Sequence, residues 1–199
     1  MSERKSTNFN WELYPNKGFG NIPFGLNISQ IDFIENTLGK LNSLYNPLNS
    51  NSETYELLKG IVSDEEIKEL MKQMEDINID QNVKIQEFSS LNGMKISFED
   101  ELLTDFFATD FVTNLHFQSI PIFSSNPLFL IKEISTILSE IPLAKGKEII
   151  FPKNHIYLYD FLNEDGHETS HKERTVNWRN ASRILGVSID DYKELNLYL

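Results

Sequence analysis

Apolar and polar side chains alternate along most of residues 83–100, and this alternation limits the folds open to the chain more than any other feature. In VKIQEF (83–88) and in MKISFED (94–100), apolar and polar side chains alternate. Such alternation is typical of a strand that buries one face. Asn92-Gly93 stands between the two segments and favours a tight turn. We therefore predict a β-hairpin whose strands span 83–88 and 94–99.

Three further segments have the composition of strands. They are 111–118, 147–151 and 155–161. In the last of them, alternate positions carry the ring side chains His155, Tyr157, Tyr159 and Phe161. We interpret this stripe as core rather than as a ligand cage, because strands in protein cores are rich in aromatic residues. In the first segment His116 alternates with apolar neighbours, so we expect it to be a half-buried structural residue.

Apolar residues at helical spacing predict helices over 29–39 and 127–141. Ser29 can cap the first helix. Asn126-Pro127 places a capping residue before a proline at the first position of the second helix. The second helix is expected to bury Leu130, Ile134, Ile137 and Leu138.

The order of these elements is helices, strands, a helix and strands again. Such an order favours an α+β fold over a parallel α/β fold. We predict a single domain over residues 1–199, in which an antiparallel sheet carries the helices on one of its faces.

A weak internal sequence similarity suggests a duplication. Ile22-Pro23 and Ile120-Pro121 each precede a capped helix. The similarity is compatible with two diverged units, 16–118 and 119–199, each a helix followed by strands, with a helical insertion at about 46–80.

Charge and composition exclude several classes of function. A net charge of −12 disfavours nucleic acid and anionic membranes as partners and favours a basic protein. The chain has no cysteine, which excludes disulfides and thiolate metal sites. We find neither the apolar segment of a signal peptide near the N-terminus nor an apolar run of 18 residues. These features predict a cytoplasmic protein that does not interact with membranes.

The negative charge is concentrated in the middle of the chain. Residues 51–80 contribute −6 and residues 81–120 contribute −4. Ser63 and Glu66 form the S-x-x-E pattern of a capping box, which predicts a helix to about residue 76. We predict that acidic side chains here form a partner-binding surface; a helix that only keeps the protein in solution is the alternative. The predicted surface consists of Asp64, Glu65, Glu69, Glu75, Asp76, Asp100 and Glu101.

The segment His167-Glu168-Thr169-Ser170-His171 matches H-E-x-x-H, the sequence of a zinc-peptidase site. The motif works when a rigidly held helix presents both His side chains to one metal ion. No apolar residue lies between Leu162 and Val176, so a helix here would have no face to bury. We interpret the segment as a polar loop. We predict no metal site, no cofactor and no catalytic residue, and the alternative is a zinc-dependent hydrolase that uses His167, Glu168 and His171.

The opening segment NKGFGNIPFGLNISQIDFIENTLGKL (16–41) resembles a bacterial pattern, G-x-G-x-I-x-F-G-M-[ST]-x-x-[EQ]-V-x-x-x-L-G-x-P. Leu26 stands where the pattern has Met, and Leu41 replaces its final Pro. The matching residues are Gly18, Gly20, Ile22, Phe24, Gly25, Ile31, Leu38 and Gly39. The pattern opens small α+β proteins found beside polymorphic and contact-dependent toxin genes, and a similar motif opens the repeat of β-lactamase inhibitor protein.

The later segments are similar to the layout of that family. LNGMKISFED resembles its first core strand, FVTNLHF its next strand, and NPLFLIKEISTIL its second helix. The resemblance implies an immunity protein that binds a cognate toxin domain and occludes its active site. Such a toxin can be a basic nuclease, and the chain itself need not be an enzyme. An adaptor or chaperone for a secreted effector is a further alternative.

If the acidic helix faces the partner, reversing the charges of Glu65, Glu69 and Asp76 to Lys should slow association and flatten its dependence on salt. Fold stability should change little, because exposed charges contribute roughly 0–1 kcal/mol each. Association rates of wild type and triple variant at low and at high salt are the measurement. Equal rates and equal salt slopes would remove this helix from the interface.

Overall fold

The structure is a computed structural model and describes residues 10–44, 63, 66, 84–163, 166–169, 173–180 and 189–195. Two α-helices lie wholly within this part of the chain: α1 (Ile31–Leu38), which continues a short 3-10 turn (Ile28–Gln30), and α2 (Pro127–Leu138). None of the helices in the described residues is both long enough and apolar enough to cross a membrane.

The strands dominate the described residues. The first seven are β1 (Leu13–Tyr14), β2 (Gly18–Phe19), β3 (Ile22–Pro23), β4 (Leu41–Leu44), β5 (Ile85–Ser90), β6 (Met94–Glu99) and β7 (Leu102–Thr109). The others are β8 (His116–Phe117), β9 (Ile120–Pro121), β10 (Leu143–Lys145), β11 (Glu148–Phe151), β12 (Ile156–Tyr159), β13 (Thr175–Arg179) and β14 (Lys193–Glu194).

Nine of these strands form one antiparallel sheet in the order β14-β10-β11-β12-β13-β7-β6-β5-β4. The meander β4 to β7 therefore lies on one side of the sheet's centre, and β10 to β13 lies on the other. The last strands of both runs, β7 and β13, pair with each other, and Trp178 stands opposite Phe106. The predicted antiparallel sheet is confirmed, although the described residues are mostly β and their helices are short.

Two tight hairpins precede the helices. In the first, Phe19 pairs with Ile22, and in the second Phe117 pairs with Ile120, so each Ile-Pro dipeptide forms the returning strand. Gly18 has a φ of 139°, and a Cβ built on it would lie 2.1 Å from the carbonyl oxygen of Ile22. A larger residue would therefore break the first hairpin.

Both helices cover the same face of the sheet. Ile34 and Leu38 of α1, and Leu130, Ile131 and Ile134 of α2, belong to one apolar cluster with the inward side chains of the strands. Alternation along each strand then leaves the other side chains on the opposite face, which we call the open face. The inward set includes Ile96, Phe106, Trp178, Ile156 and Leu158.

Several predicted elements are confirmed. The hairpin consists of β5 and β6, and Gly93 closes its turn with an N–H that donates to the Ser90 carbonyl at 3.3 Å. Asn126 caps α2 by accepting from the Phe129 N–H at 2.9 Å. Ser63 and Glu66 form the predicted capping box, in which the Glu66 N–H donates to Ser63 Oγ at 3.3 Å. The rest of the predicted insertion, 46–80, lies outside the described residues apart from these two positions.

The predicted strand over 111–118 is wrong. Only His116–Phe117 is extended, and it pairs with β9 rather than with the main sheet. The preceding residues form turns, in which the Val112 N–H donates to the Thr109 carbonyl at 2.9 Å. The central strand of this region is β7, which lacks alternation because Thr104, Asp105 and Phe106 are all buried.

The ends of the helices also differ from the prediction. Asn27, not Ser29, caps the first helical turn, since its side chain accepts from the Ser29 N–H at 3.0 Å. The second helix ends at Leu138 because Ser139 adopts a left-handed conformation with φ 51°. Ile137 is 43% exposed, so the expectation that it is buried is wrong.

Ile134 and Ile137 provide a matched pair on α2. Ile134→Ala should destabilise the fold by about 2–5 kcal/mol, because it leaves a cavity in the core. Ile137→Ala removes the same atoms from an exposed position and should cost less than about 1 kcal/mol. Urea unfolding of both variants is the measurement, and equal losses would show that the helix is rotated from this orientation.

Candidate functional site

The open face carries two rows of side chains that cross β7, β13, β12, β11 and β10. One row is Thr109, Thr175, Tyr159, Glu148 and Lys145, and the next is Phe107, Asn177, Tyr157, Ile150 and Leu143. Aromatic rings stand at the middle of both rows. No helix in the described residues covers this face, since the buried side chains of α1 and α2 pack on the other one.

A cavity of about 350 Å³ lies in these rows. Its lining consists of Phe107, Glu148, Tyr157, Tyr159, Thr175, Asn177 and Arg179. The aromatic stripe predicted to be core therefore needs correction. Tyr157 is only half-buried and Tyr159 is 50% exposed, because both project from the face opposite the helices. Phe161 is buried, since β12 ends at Tyr159 and the left-handed Asp160 (φ 59°) redirects the chain.

An ion pair lies at one end of the cavity. The Arg179 Nε–H donates to Asp105 Oδ2, and Asn177 Nδ2 donates to Asp105 Oδ1 at 2.7 Å. Asn177 also donates to the Phe106 carbonyl at 3.2 Å, which fixes its amide. Residues 105 and 179 are directly opposite each other on β7 and β13. The register of the two central strands thus creates the pair.

The carboxyl of Asp105 is the most perturbed acid of this site. Burial raises its pKa from the ordinary aspartate value to about 6. Arg179 and Asn177 oppose this rise, and the nearby Glu99 adds to it. Because desolvation exceeds the attraction of the guanidinium, the fold holds this ion pair at a cost in free energy.

Two tyrosines, Tyr157 in the cavity lining and Tyr192 bonded to Glu148, have pKa values that the surroundings of the cavity raise. Burial raises the pKa of Tyr157, while the charge of Arg179 lowers it. On the far side of the cavity the Tyr192 hydroxyl donates to Glu148 Oε2 at 2.5 Å. Burial and this bond to the carboxylate raise the pKa of Tyr192. The register places Glu148 in the row of Tyr159 and Thr175, four positions from Arg179 along β13.

Sequence reasoning identified the tyrosines but missed Asp105, Asn177 and Arg179. A single acid within the apolar run LLTDFFAT was the available signal, since a buried carboxylate needs a partner. Its partner lies 74 positions away on another strand. Only the register of the sheet brings them together.

The acidic surface predicted from sequence is described at two positions. Asp100 and Glu101 form the exposed turn between β6 and β7, with φ values of 48° and 69°. The Asp100 N–H donates to the Lys84 carbonyl at 2.9 Å, which joins this turn to the residue immediately before β5. The other predicted members, Asp64, Glu65, Glu69, Glu75 and Asp76, lie outside the described residues.

The H-E-x-x-H segment (167–171) is described over residues 167–169, and these are not helical. Glu168 forms an isolated antiparallel bridge with Leu162, and its carboxylate accepts from Asn126 Nδ2. His167 is exposed, and His171 lies outside the described residues. In the part of the chain that is described, no three His, Asp or Glu side chains are grouped as metal ligands would be.

Comparisons of the chain with protein-family models, with curated proteins and with solved structures gave no match.

Asp105 should make stability depend on pH in an unusual direction. Its folded pKa of about 6 lies above the unfolded value of about 3.9, so the folded state binds more protons between these values. Its contribution to stability is complete below pH 4 and is lost as pH rises through about 6.

Asp105→Asn should remove this dependence. The free energy of unfolding is measured with urea for wild type and variant between pH 4 and pH 7. The difference between the two proteins should change by on the order of 2 kcal/mol across this range. A constant difference would mean that Asp105 titrates alike in the folded and unfolded chains.

Proposed function

We propose that this protein is an immunity protein, which binds the toxin domain of a bacterial effector and blocks it. The open face of the sheet is the binding surface. The observation that carries the proposal is the row of aromatic side chains left uncovered beside a fixed arginine. Tyr and Arg in a partly desolvated setting are the residues that dominate binding energy at protein interfaces.

The shape of this face suits a folded partner. Nine adjacent strands provide a broad, continuous support, and backbone pairing holds the side chains of the rows in place. Because the binding groups are ordered before the partner arrives, association loses little conformational entropy. Inhibition by occlusion requires no reaction at this surface.

The charge of the chain supports a basic partner. A net charge of −12 attracts a positively charged domain over distances of about a Debye length and so speeds its encounter. Nucleases are often basic because they bind phosphates. The class of partner rests on this charge and on the resemblance of residues 16–41 to the opening motif of immunity proteins.

The proposal is tested first in the genes beside this one. We expect a gene for a large secreted protein whose variable C-terminal domain arrests growth when expressed alone. Co-expression of the present chain should restore growth, and the two proteins should co-purify. A partner that binds but is harmless alone would instead support an adaptor or chaperone.

Tyr159→Ala should weaken binding of that domain by about tenfold or more, since an exposed aromatic at an interface centre is a typical hot spot. Phe111→Ala is the control. Phe111 is 80% exposed but follows β7 in a turn outside the two rows. Calorimetry on both variants gives the comparison. If Phe111→Ala weakens binding and Tyr159→Ala does not, the interface lies at the end of the sheet near Phe111 and not on the two rows.

A further inference from the structure

The guanidinium of Arg179 is used at only one of its donor positions. Its Nε–H donates to Asp105, and within the described residues no other group accepts from it. The side chain is 30% exposed and lines the open-face cavity. An arginine carries five N–H donors, so four remain for a molecule that enters the cavity.

The hydrogen bonds around Asp105 orient the Arg179 side chain. Asp105 is buried, and it accepts from both Arg179 and Asn177. A buried ion pair is often no more stabilising than apolar residues of the same volume, so stability alone does not account for it. What the pair does achieve is to anchor one N–H of the guanidinium beside the cavity, which limits where the other donors can point.

The other charges of the cavity favour an anion near Arg179. A cation entering here would have to compete with Arg179 for Asp105, whereas an anion meets donors that are unoccupied. The remaining lining carboxylate, Glu148, accepts from Tyr192 on the far side. Lys95 lies over the Phe107 ring at 5.2 Å from its centroid and adds positive charge at the border.

The walls strengthen the same interaction. Tyr157, Tyr159 and Phe107 exclude part of the solvent, and charge-assisted hydrogen bonds are stronger in such surroundings. The planar fork of arginine matches the two oxygens of a carboxylate. A phosphate would bring a larger negative charge toward Glu148 and toward a chain of net charge −12.

We propose that Arg179 is the anchor of the open face and that it binds the carboxylate of an Asp or Glu side chain of the partner protein. This inference rests on the proposed function, because it names the group that the binding surface recognises. Long-range attraction to a basic partner and a local bond to one of its acidic side chains act at different distances. A competing protein with Lys at that position would be rejected by Arg179.

Sodium acetate is the probe, titrated at constant ionic strength into the 15N-labelled full chain. We expect saturable NMR shifts of the Arg179 Nε–H and of the Asn177 side-chain amide, with a millimolar Kd. Acetamide has the same shape without the charge and should produce no saturable shift. Inorganic phosphate and methylguanidinium are titrated in parallel as the competing chemistries.

Arg179→Lys keeps the charge but removes the fork, and it should weaken acetate binding about tenfold. Lys132→Gln is the control, since Lys132 is exposed on α2, on the helix side of the sheet. It should leave the acetate Kd unchanged. If Arg179→Lys does not fold, the double variant Asp105→Asn/Arg179→Gln removes both charges together and should likewise lose binding.

Four results would overturn the inference, and the first three concern which probe binds and where. They are shifts with methylguanidinium and none with acetate, tighter binding of phosphate than of acetate, and equal binding of acetate by wild type and Arg179→Lys. Absence of any saturable shift would overturn it as well.

The outcome is separable from that of the proposed function. If Tyr159→Ala weakens partner binding while Arg179→Lys does not, the open face binds but the anchor is wrong. If acetate binds at Arg179 while co-expression of the neighbouring domain restores no growth, the anchor stands and the immunity function fails.

Discussion

The stacking of Trp178 on Phe106 is the interaction on which the rest of the structure depends. The two rings lie 5.2 Å apart at an angle of 13°, in the pair of strands at the centre of the sheet. Trp178 is fully buried, and its ring centroid lies 5.8 Å from that of Phe19. Its Nε1–H donates to the Gly18 carbonyl at 3.0 Å. One side chain thus joins the two halves of the sheet and the first hairpin.

The same strands supply the candidate site, because alternation gives each of them two faces. Phe106 points into the core, and its neighbours Asp105 and Phe107 belong to the open face. On β13, Trp178 is flanked in the same way by Asn177 and Arg179. Any shift of register between β7 and β13 would therefore remove the aromatic stack and the Asp105–Arg179 pair together. The core and the site are fixed by a single pairing.

The chain combines two kinds of electrostatic organisation. Most of its charge is acidic, lies in the middle of the sequence and acts at long range. The ion pair beside the cavity is short-ranged and largely desolvated, and its cost shows in the raised pKa of Asp105. Such a cost is typical of groups that are held for recognition rather than for stability. The aromatic rings around it provide the apolar contact that a charge alone cannot.

Local patterns in the sequence determined the elements whose stabilising contacts lie nearby. The hairpin of β5 and β6 and the Asn126 cap of α2 form between residues a few positions apart, so periodicity and turn chemistry were enough. The tertiary structure alone decided the roles of β7 and β13. β7 does not alternate clearly, because Thr104, Asp105 and Phe106 are all buried. β13 does alternate, but it is only five residues long and its partner strand lies about 70 positions earlier in the chain. The packing of the helices decides which face of β12 belongs to the core. For that reason the tyrosines that were predicted to be interior lie on the candidate binding surface.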